Sequence, residues 1–340
     1  MSFFAVLFAL LIEQARPLAR GNWIHSGFRL WARWASRHLD AGQPHHGWIA
    51  WSIAVALPSL GALLIHWALW YAHPLLAFAW SVAILYVTLG FRQFSHYFTD
   101  IRDALDDGDE DTARELLAQW RQVDASELPR SEIVRHVIEY SVLAAHRHVF
   151  GVLGWFSVLA AFGLGPMGAV LYRMSEFVTR YWRYKSKSRE AGEGASPALQ
   201  AAASQAWGVM DYVPARVTAL GFAVVGSFED AIDAWRNYAQ RLTQRQEMTL
   251  ENHNDGIILA ATSGAVNVRL GGQALQTRFD PNASAGFLAA NAATLDTPTQ
   301  ATPGREPEVA HLRSIVGLVW RSVVLWMVLL ALLTLARLLG

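Results

Sequence analysis

Apolar positions along this chain run together far more than they alternate, and several runs are long. Residues 48–71 carry no formally charged side chain, and at about 1.5 Å per helical residue they reach across roughly 30 Å of hydrocarbon. A second run, 74–91, follows after only Ala72 and His73, so the two predict a tight helical hairpin. Its ends carry Trp48, Trp51, Trp70, Tyr71 and Trp80, the aromatic belt expected at a bilayer interface. Pro58 and His66 inside the first run predict packing against other helices. The run 149–172 is interrupted by Gly163, Gly165, Pro166 and Gly168, which predicts a broken or re-entrant segment. Residues 315–336 form the last run, bracketed by Arg313 and Arg337, with Trp320 and Trp326 as anchors and Arg321 able to snorkel. The opening, 1–12, is apolar but has neither a basic n-region nor a small-residue cleavage site, and so predicts retained structure rather than a signal peptide.

Over 100–139 the pattern becomes amphipathic: Leu105, Ala113, Leu116, Leu117 and Trp120 recur at near-helical spacing and predict a helical hairpin closed near Pro129. Residues 186–197 and 292–308 have linker composition, the second a flexible tether for the last helix. Strand-like alternation is scarce. The prediction is an all-α, polytopic integral membrane protein with cytosolic helical hairpins and re-entrant or broken helices. An N-terminal membrane region, 1–91, contains the 48–91 hairpin, and cytosolic amphipathic helices occupy 92–148. A broken membrane segment, 149–185, leads through a linker, 186–205, to a core at 206–291; a second linker, 292–312, precedes a transmembrane helix at 313–340.

Composition agrees, since 53% hydrophobic and only 16% charged residues over 340 positions are too apolar for an ordinary soluble domain. Arg and Lys crowd 13–46, 92–148 and 173–205 while the 72–73 turn has none, which predicts that those segments face the cytoplasm of a bacterial inner membrane. That orientation requires 149–172 to return to its starting side. A net charge of zero provides no basic field for nucleic acid; the lipid bilayer is the expected partner. The absence of cysteine removes disulfides, thiolate metal sites and a Cys nucleophile.

Common catalytic motifs are missing: there is no G-x-S-x-G, G-x-x-x-x-G-K or H-E-x-x-H. Gly163, Gly165 and Gly168 satisfy G-x-G-x-x-G, but inside an apolar run and outside any βαβ context. The acidic stretch 106–111 lacks the ligand alternation and distal Glu of a calcium loop, and predicts a solvated turn and helix start. His146 and His148 fall on different faces of a helix, with His136 ten residues before the first. They predict interfacial polar residues, and no metal site is predicted. In Asp211-Tyr212-Val213-Pro214-Ala215-Arg216 an acid and a base stand where the apolar run 217–225 begins, either as an Asp211–Arg216 ion pair or as a ligand site. Asn254-Asp255-Gly256 and Val268-Arg269-Leu270-Gly271-Gly272 flank a stretch of small residues that lets backbones approach closely. Arg269 is the side chain there best suited to clamp an anion.

Over about 90–272 these residues resemble the CobD/CbiB family. The family's L-N-Y-I-P-A-R-L is matched by 210–217, and its N-A-G-x-P through G-V-R-L-G-G by Asn254-Asp255-Gly256 through 267–272. Its E-x-x-x-E-N-x-x-D falls on 139–147, where Glu139 keeps its type and Leu143, Ala144 and Arg147 replace the others. Its Y-R-x-x-N-T-L-D-S-M falls on 172–181, with Tyr172 and Arg173 kept and the Asn and Asp lost to Glu176 and Thr179. The resemblance implies an integral membrane protein of cobalamin biosynthesis that attaches an aminopropanol unit to a corrinoid carboxylate, using ATP and Mg²⁺. The candidate polar site it implies is Glu139, Asp211, Tyr212, Arg216, Asn254 and Arg269, with Pro214, Gly256, Gly271 and Gly272 as structural signature residues. The replaced acids argue against retention of that ligase activity. The apolar opening, the 211–216 region and the terminal helix are also similar to AmpE, a related inner-membrane protein associated with β-lactamase induction signalling. That similarity implies a non-enzymatic sensor whose cytosolic helices, about 92–148 and 173–250, contact a protein partner.

Overall fold

Pro44 and Pro74 each open a helix, where a missing N–H costs nothing. Between those helices His73 adopts an extended backbone and its Nδ1 accepts the Leu75 N–H at 3.2 Å. The result is the expected hairpin of α3 (Pro44–Ala72) and α4 (Pro74–Thr88). The computed structural model describes residues 2–16, 23–121, 123–187, 195–242, 249–272 and 301–339. Helices α1 (Ser2–Ala15) and α2 (Trp23–Leu39) precede the hairpin, and α5 (Phe91–Asp106) and α6 (Glu110–Arg121) follow it. Then come α7 (Arg130–Ala145), a π-helical turn (His146–Phe150), α8 (Gly151–Ala161), α9 (Met167–Lys187), α10 (Pro197–Val225), α11 (Phe228–Leu242), α12 (Leu250–Val266) and α13 (Val309–Leu339). Among the described residues there is no strand, and isolated bridge pairing includes a parallel bridge between Val268 and Arg305.

Four helical stretches are long and apolar enough to cross a membrane: Pro44–Ala72, Arg130–Ala161, Pro197–Val225 and Val309–Ala336. The apolar windows of the first and last are 33% buried and that of Arg130–Ala161 is 72% buried. Arg130–Ala161 is therefore the central mast, and the other two stand at the lipid-facing periphery. It runs through residue 148, where the sequence pattern places a boundary, because flanking helices enclose even its polar positions. Asp40 reaches Ser196, accepting its N–H at 2.8 Å and its hydroxyl at 2.7 Å, so α10 begins beside the start of α3.

Two helix-interior prolines have their consequences absorbed by tryptophan. Pro58 cannot donate to the Ala54 carbonyl one turn back, and the Trp31 indole donates there instead at 2.9 Å. Pro214 leaves the Met210 carbonyl in the same position, and the Trp155 indole takes it at 3.0 Å. Each exchange ties a kinked helix to its neighbour through a group the proline itself left open.

The broken run resolves into a helix–turn–helix. After Ala161 the chain turns through Gly163 (φ 78°) and Gly165 (φ 54°), a left-handed backbone that glycine adopts without strain. At Gly168 a Cβ would lie 2.1 Å from the Trp155 carbonyl, so α8 and α9 pack at backbone distance. From Tyr172 to Trp182 every residue of α9 is buried. Arg173 and Arg180 are thus interior groups rather than loop charges, and they do not bear on which side of the membrane their segment faces.

Residues 188–194 of the first predicted linker, and 273–300, which end the predicted core and begin the second linker, lie outside the described residues. Within the rest of the second linker, Thr302 and Arg305 pair with the 267–272 segment: Thr302 N–H donates to Leu270 O at 2.7 Å, and Arg269 N–H to Arg305 O at 2.8 Å. The approach to α13 is held there. In the acidic stretch, Gly108 turns at φ 81° and Asp109 caps α6, accepting the Thr112 N–H at 3.0 Å and hydroxyl at 2.7 Å. Those bonds hold the Asp109 carboxyl below its usual range.

Candidate functional site

The π-helical turn sits in the middle of the mast, and such single-turn insertions are frequent at functional sites. It begins with His146, which is fully buried. His146 Nε2 meets Asp211 Oδ1 of α10 at 2.8 Å, and its Nδ1 meets the Thr218 hydroxyl at 2.9 Å. The Tyr172 hydroxyl of α9 donates to the same Asp211 oxygen at 2.7 Å. A carboxylate only accepts, so these partners assign the proton to Nε2 and leave Nδ1 to accept from Thr218. Three helices are locked by one oxygen.

Around this cluster every buried acid has a cationic partner or a donor. Arg147 bonds Asp255 of α12 at 2.5 Å, with both side chains almost entirely buried. Glu176 lies between Arg173 and Arg180, the latter at 3.0 Å. Arg183 of α9 grips both carboxylate oxygens of Glu251, at 3.1 Å on Oε1 and at shorter range on Oε2, and Ser204 adds a hydroxyl at 3.2 Å. Glu139 Oε1 accepts Arg135 at 2.9 Å and the Gly271 N–H at 2.6 Å.

Of the residues singled out in the sequence, Glu139 and Gly271 meet, and Gly271 reaches that carboxylate with a φ of 80°. Tyr212, Arg216 and Asn254 form a second group. Arg216 donates to the Tyr212 carbonyl at 2.7 Å and to Asn254 Oδ1 at 3.0 Å, its guanidinium 3.3 Å from the Tyr212 ring centre. Asn254 Nδ2 donates to Gly208 O at 2.9 Å. Of the two readings open for Asp211 and Arg216, the ion pair is not made, because five residues at about 100° each turn the two side chains to different sides of one helix. Arg269 is exposed and contributes only its backbone, to Arg305. Gly256 lets the Tyr238 ring approach, since a Cβ there would lie 1.7 Å from its hydroxyl, and Gly272 lies beside Arg135. Pro214 is buried in mid-helix.

His146 and His148 are buried, not interfacial as their spacing suggests, because the mast is enclosed all round. His146, Arg147 and Thr218 are the site residues that motif matching passes over. The signal for them was available: ionisable side chains within or beside an apolar span are costly unless paired and mark functional positions.

The resemblance implies a magnesium–nucleotide pair at this site. Among the described residues no group of three His, Asp or Glu side chains is placed to hold a metal. Magnesium binds through carboxylates whose charge is available to it. Here Glu139, Glu176, Glu251 and Asp255 are each neutralised by arginine, and Asp211 already accepts from two groups. Asp211 Oδ2 and Asp255 Oδ1 are buried acceptors outside these bonds, too few for a phosphate-bearing octahedral ion. The donor set does not fit.

Glu251 lies outside the candidate spans. Burial pushes its carboxyl up, but Arg183, with Arg147 and Arg180 behind it, outweighs this and holds it below the usual range. A depressed folded value contributes stability above the unfolded value of about 4.3, lost as pH falls through the folded one. Glu251→Gln is therefore expected to be less stable than the parent at neutral pH, with the gap closing below about pH 4. Unfolding midpoints measured across pH check this, and a gap that stays constant would show that Glu251 is not held ionised.

Comparison with known proteins agrees with these signatures. The family model described as CobD/Cbib protein matches residues 3–297. This chain belongs to the CobD/CbiB family. A relative from Stutzerimonas stutzeri (strain A1501), "Cobalamin biosynthesis protein CobD", is 28% identical over 289 residues, 85% of this chain and 82% of that one. A protein of the same name from Chromobacterium violaceum is 34% identical over 221 residues, 65% of this chain and 64% of its own length. One from Leptospira interrogans is 28% identical over 194 residues, 56% of each chain. No solved structure matches. In this family member the 211–216 and 254–272 signatures, far apart in sequence, close on the same central mast.

Proposed function

We propose that this protein serves cobalamin biosynthesis in the bacterial cytoplasmic membrane as a corrinoid-binding family member that does not itself carry out ATP-dependent amide formation. The pathway is supported by family membership and by relatives named for it. The observation that carries the rest is that departures from the family pattern are partners of one another. Arg147 stands at the pattern's Asp and Asp255 at its Ala, and they bond to each other. Glu176 stands at its Asn and Arg180 at its Ser, and they pair. Asp211 stands at its Asn and takes His146. The polar cluster has been rewired into a self-neutralising network rather than stripped of charge. Near it, Arg216 lies over the exposed Tyr212 ring and presents a guanidinium suited to a corrinoid carboxylate.

The gene is expected not to restore cobinamide-dependent growth to a strain lacking the synthase. Purified protein is expected to bind adenosylcobyric acid saturably without ATP or Mg²⁺, and Arg216→Ala to weaken that binding about tenfold. Restored growth would overturn the non-catalytic assignment. Absence of binding would favour the AmpE-like alternative, a non-enzymatic signalling protein. The charged outer surface of α5 and α6, with Asp103 and Asp111 exposed, is the observation on its side.

A further inference from the structure

At the turn end of the α3–α4 hairpin lies a pocket of about 570 Å³ whose lining shares no residue with the buried charged cluster, walled by α1, α3, α4, α8 and the 162–166 turn. That volume lies within the range of about 300–1,000 Å³ typical of small-molecule sites. Its walls are mainly aromatic and apolar, including Trp67, Trp70, Phe78 and Phe156, with His66 and Ser81 as a polar pair 3.4 Å apart. The turn is fitted to it. The Trp67 indole donates to the Gly163 carbonyl at 3.3 Å, and His66 covers Gly165, where a Cβ would lie 2.5 Å from the imidazole.

The surroundings indicate the occupant. Tyr71 (89%), Phe162 (77%) and Leu75 (64%) are strongly exposed at this end, and they continue the outer apolar surface of a helix that crosses the bilayer. In water such a rim would be a liability, whereas at a membrane interface it is the expected aromatic belt. The mouth therefore faces lipid, the apolar solute present at highest concentration. We propose that the pocket is a lipid site, taking a hydrocarbon tail of a bilayer phospholipid between the aromatic walls.

The full chain, reconstituted in phosphatidylethanolamine–phosphatidylglycerol nanodiscs containing a phospholipid with a diazirine in its acyl chain, tests this on photolysis. Labelling is expected to concentrate on the 62–81 and 156–165 peptides, to saturate with probe, and to exceed that of the lipid-facing surface of α13. Ala160→Trp, which fills the pocket, is expected to lower labelling there at least about fivefold while α13 labelling, an internal control for folding, stays unchanged. Labelling spread evenly over the outer helices, or undiminished in Ala160→Trp, would overturn the proposal. Should that variant not fold, native mass spectrometry of the parent protein in mild detergent decides instead. A retained phospholipid adduct supports the site, and a chain that sheds every lipid as readily as detergent overturns it.

Discussion

Replacing Arg147 by alanine is expected to cost about 3–5 kcal/mol of stability, the range for breaking a buried ion pair by removing one partner. Arg147 and Asp255 are almost wholly excluded from solvent and bonded at 2.5 Å. Truncating either strands the other charge in a medium that cannot solvate it. Asp255→Ala should therefore cost a similar amount. Replacing both together by apolar side chains of similar volume, Arg147→Met with Asp255→Leu, should recover most of the loss, since no charge is then left alone. Denaturant or SDS titration of the purified protein, followed by tryptophan fluorescence, measures all three. A wild-type midpoint for Arg147→Ala would show that the pair is solvated in the membrane and carries little energy.

Asp211→Ala is the second large effect expected, about 2–6 kcal/mol, because two buried donors lose their acceptor at about 1–3 kcal/mol each. The Tyr172 hydroxyl and His146 Nε2 both end on Asp211 Oδ1, and neither has water to turn to. Asp211→Asn keeps a carbonyl oxygen in that position, which is also the residue type of the family pattern. It is expected to lose less than half as much. The two unfolding midpoints make the comparison. If asparagine proves as damaging as alanine, the negative charge itself is required at this position.

Much of the architecture was legible because a bilayer imposes long, uncharged helices that composition alone reveals. The 48–91 hairpin and the terminal helix are written as long apolar runs, and the break at 163–168 as glycines and a proline inside one. Two of the four spanning stretches were harder to see. Residues 130–148 are full of Arg, His and Glu, and 197–225 carries Asp211 and Arg216, so each resembles a polar segment until partners for those groups are known. The site was legible in its signatures but not in its wiring. The sequence marks Asp211, Arg216 and Asn254 as polar positions, yet the Asp211–Arg216 ion pair, one of the two readings open for them, is not made because helix geometry turns the two side chains apart. His146 was set aside because spacing along a helix says nothing of what encloses it.

The sequence by itself determined the helical membrane class, the hairpin turns and the two family signatures, because these follow from local hydropathy, glycine and proline placement, and motif spacing. Which charge neutralises which was decided only by the tertiary structure. Arg147 is 108 residues from Asp255, His146 is 65 from Asp211, and Gly271 is 132 from Glu139. A buried charge is tolerable only beside its partner, and that partner is set by how helices cross rather than by how far apart their residues lie in the chain.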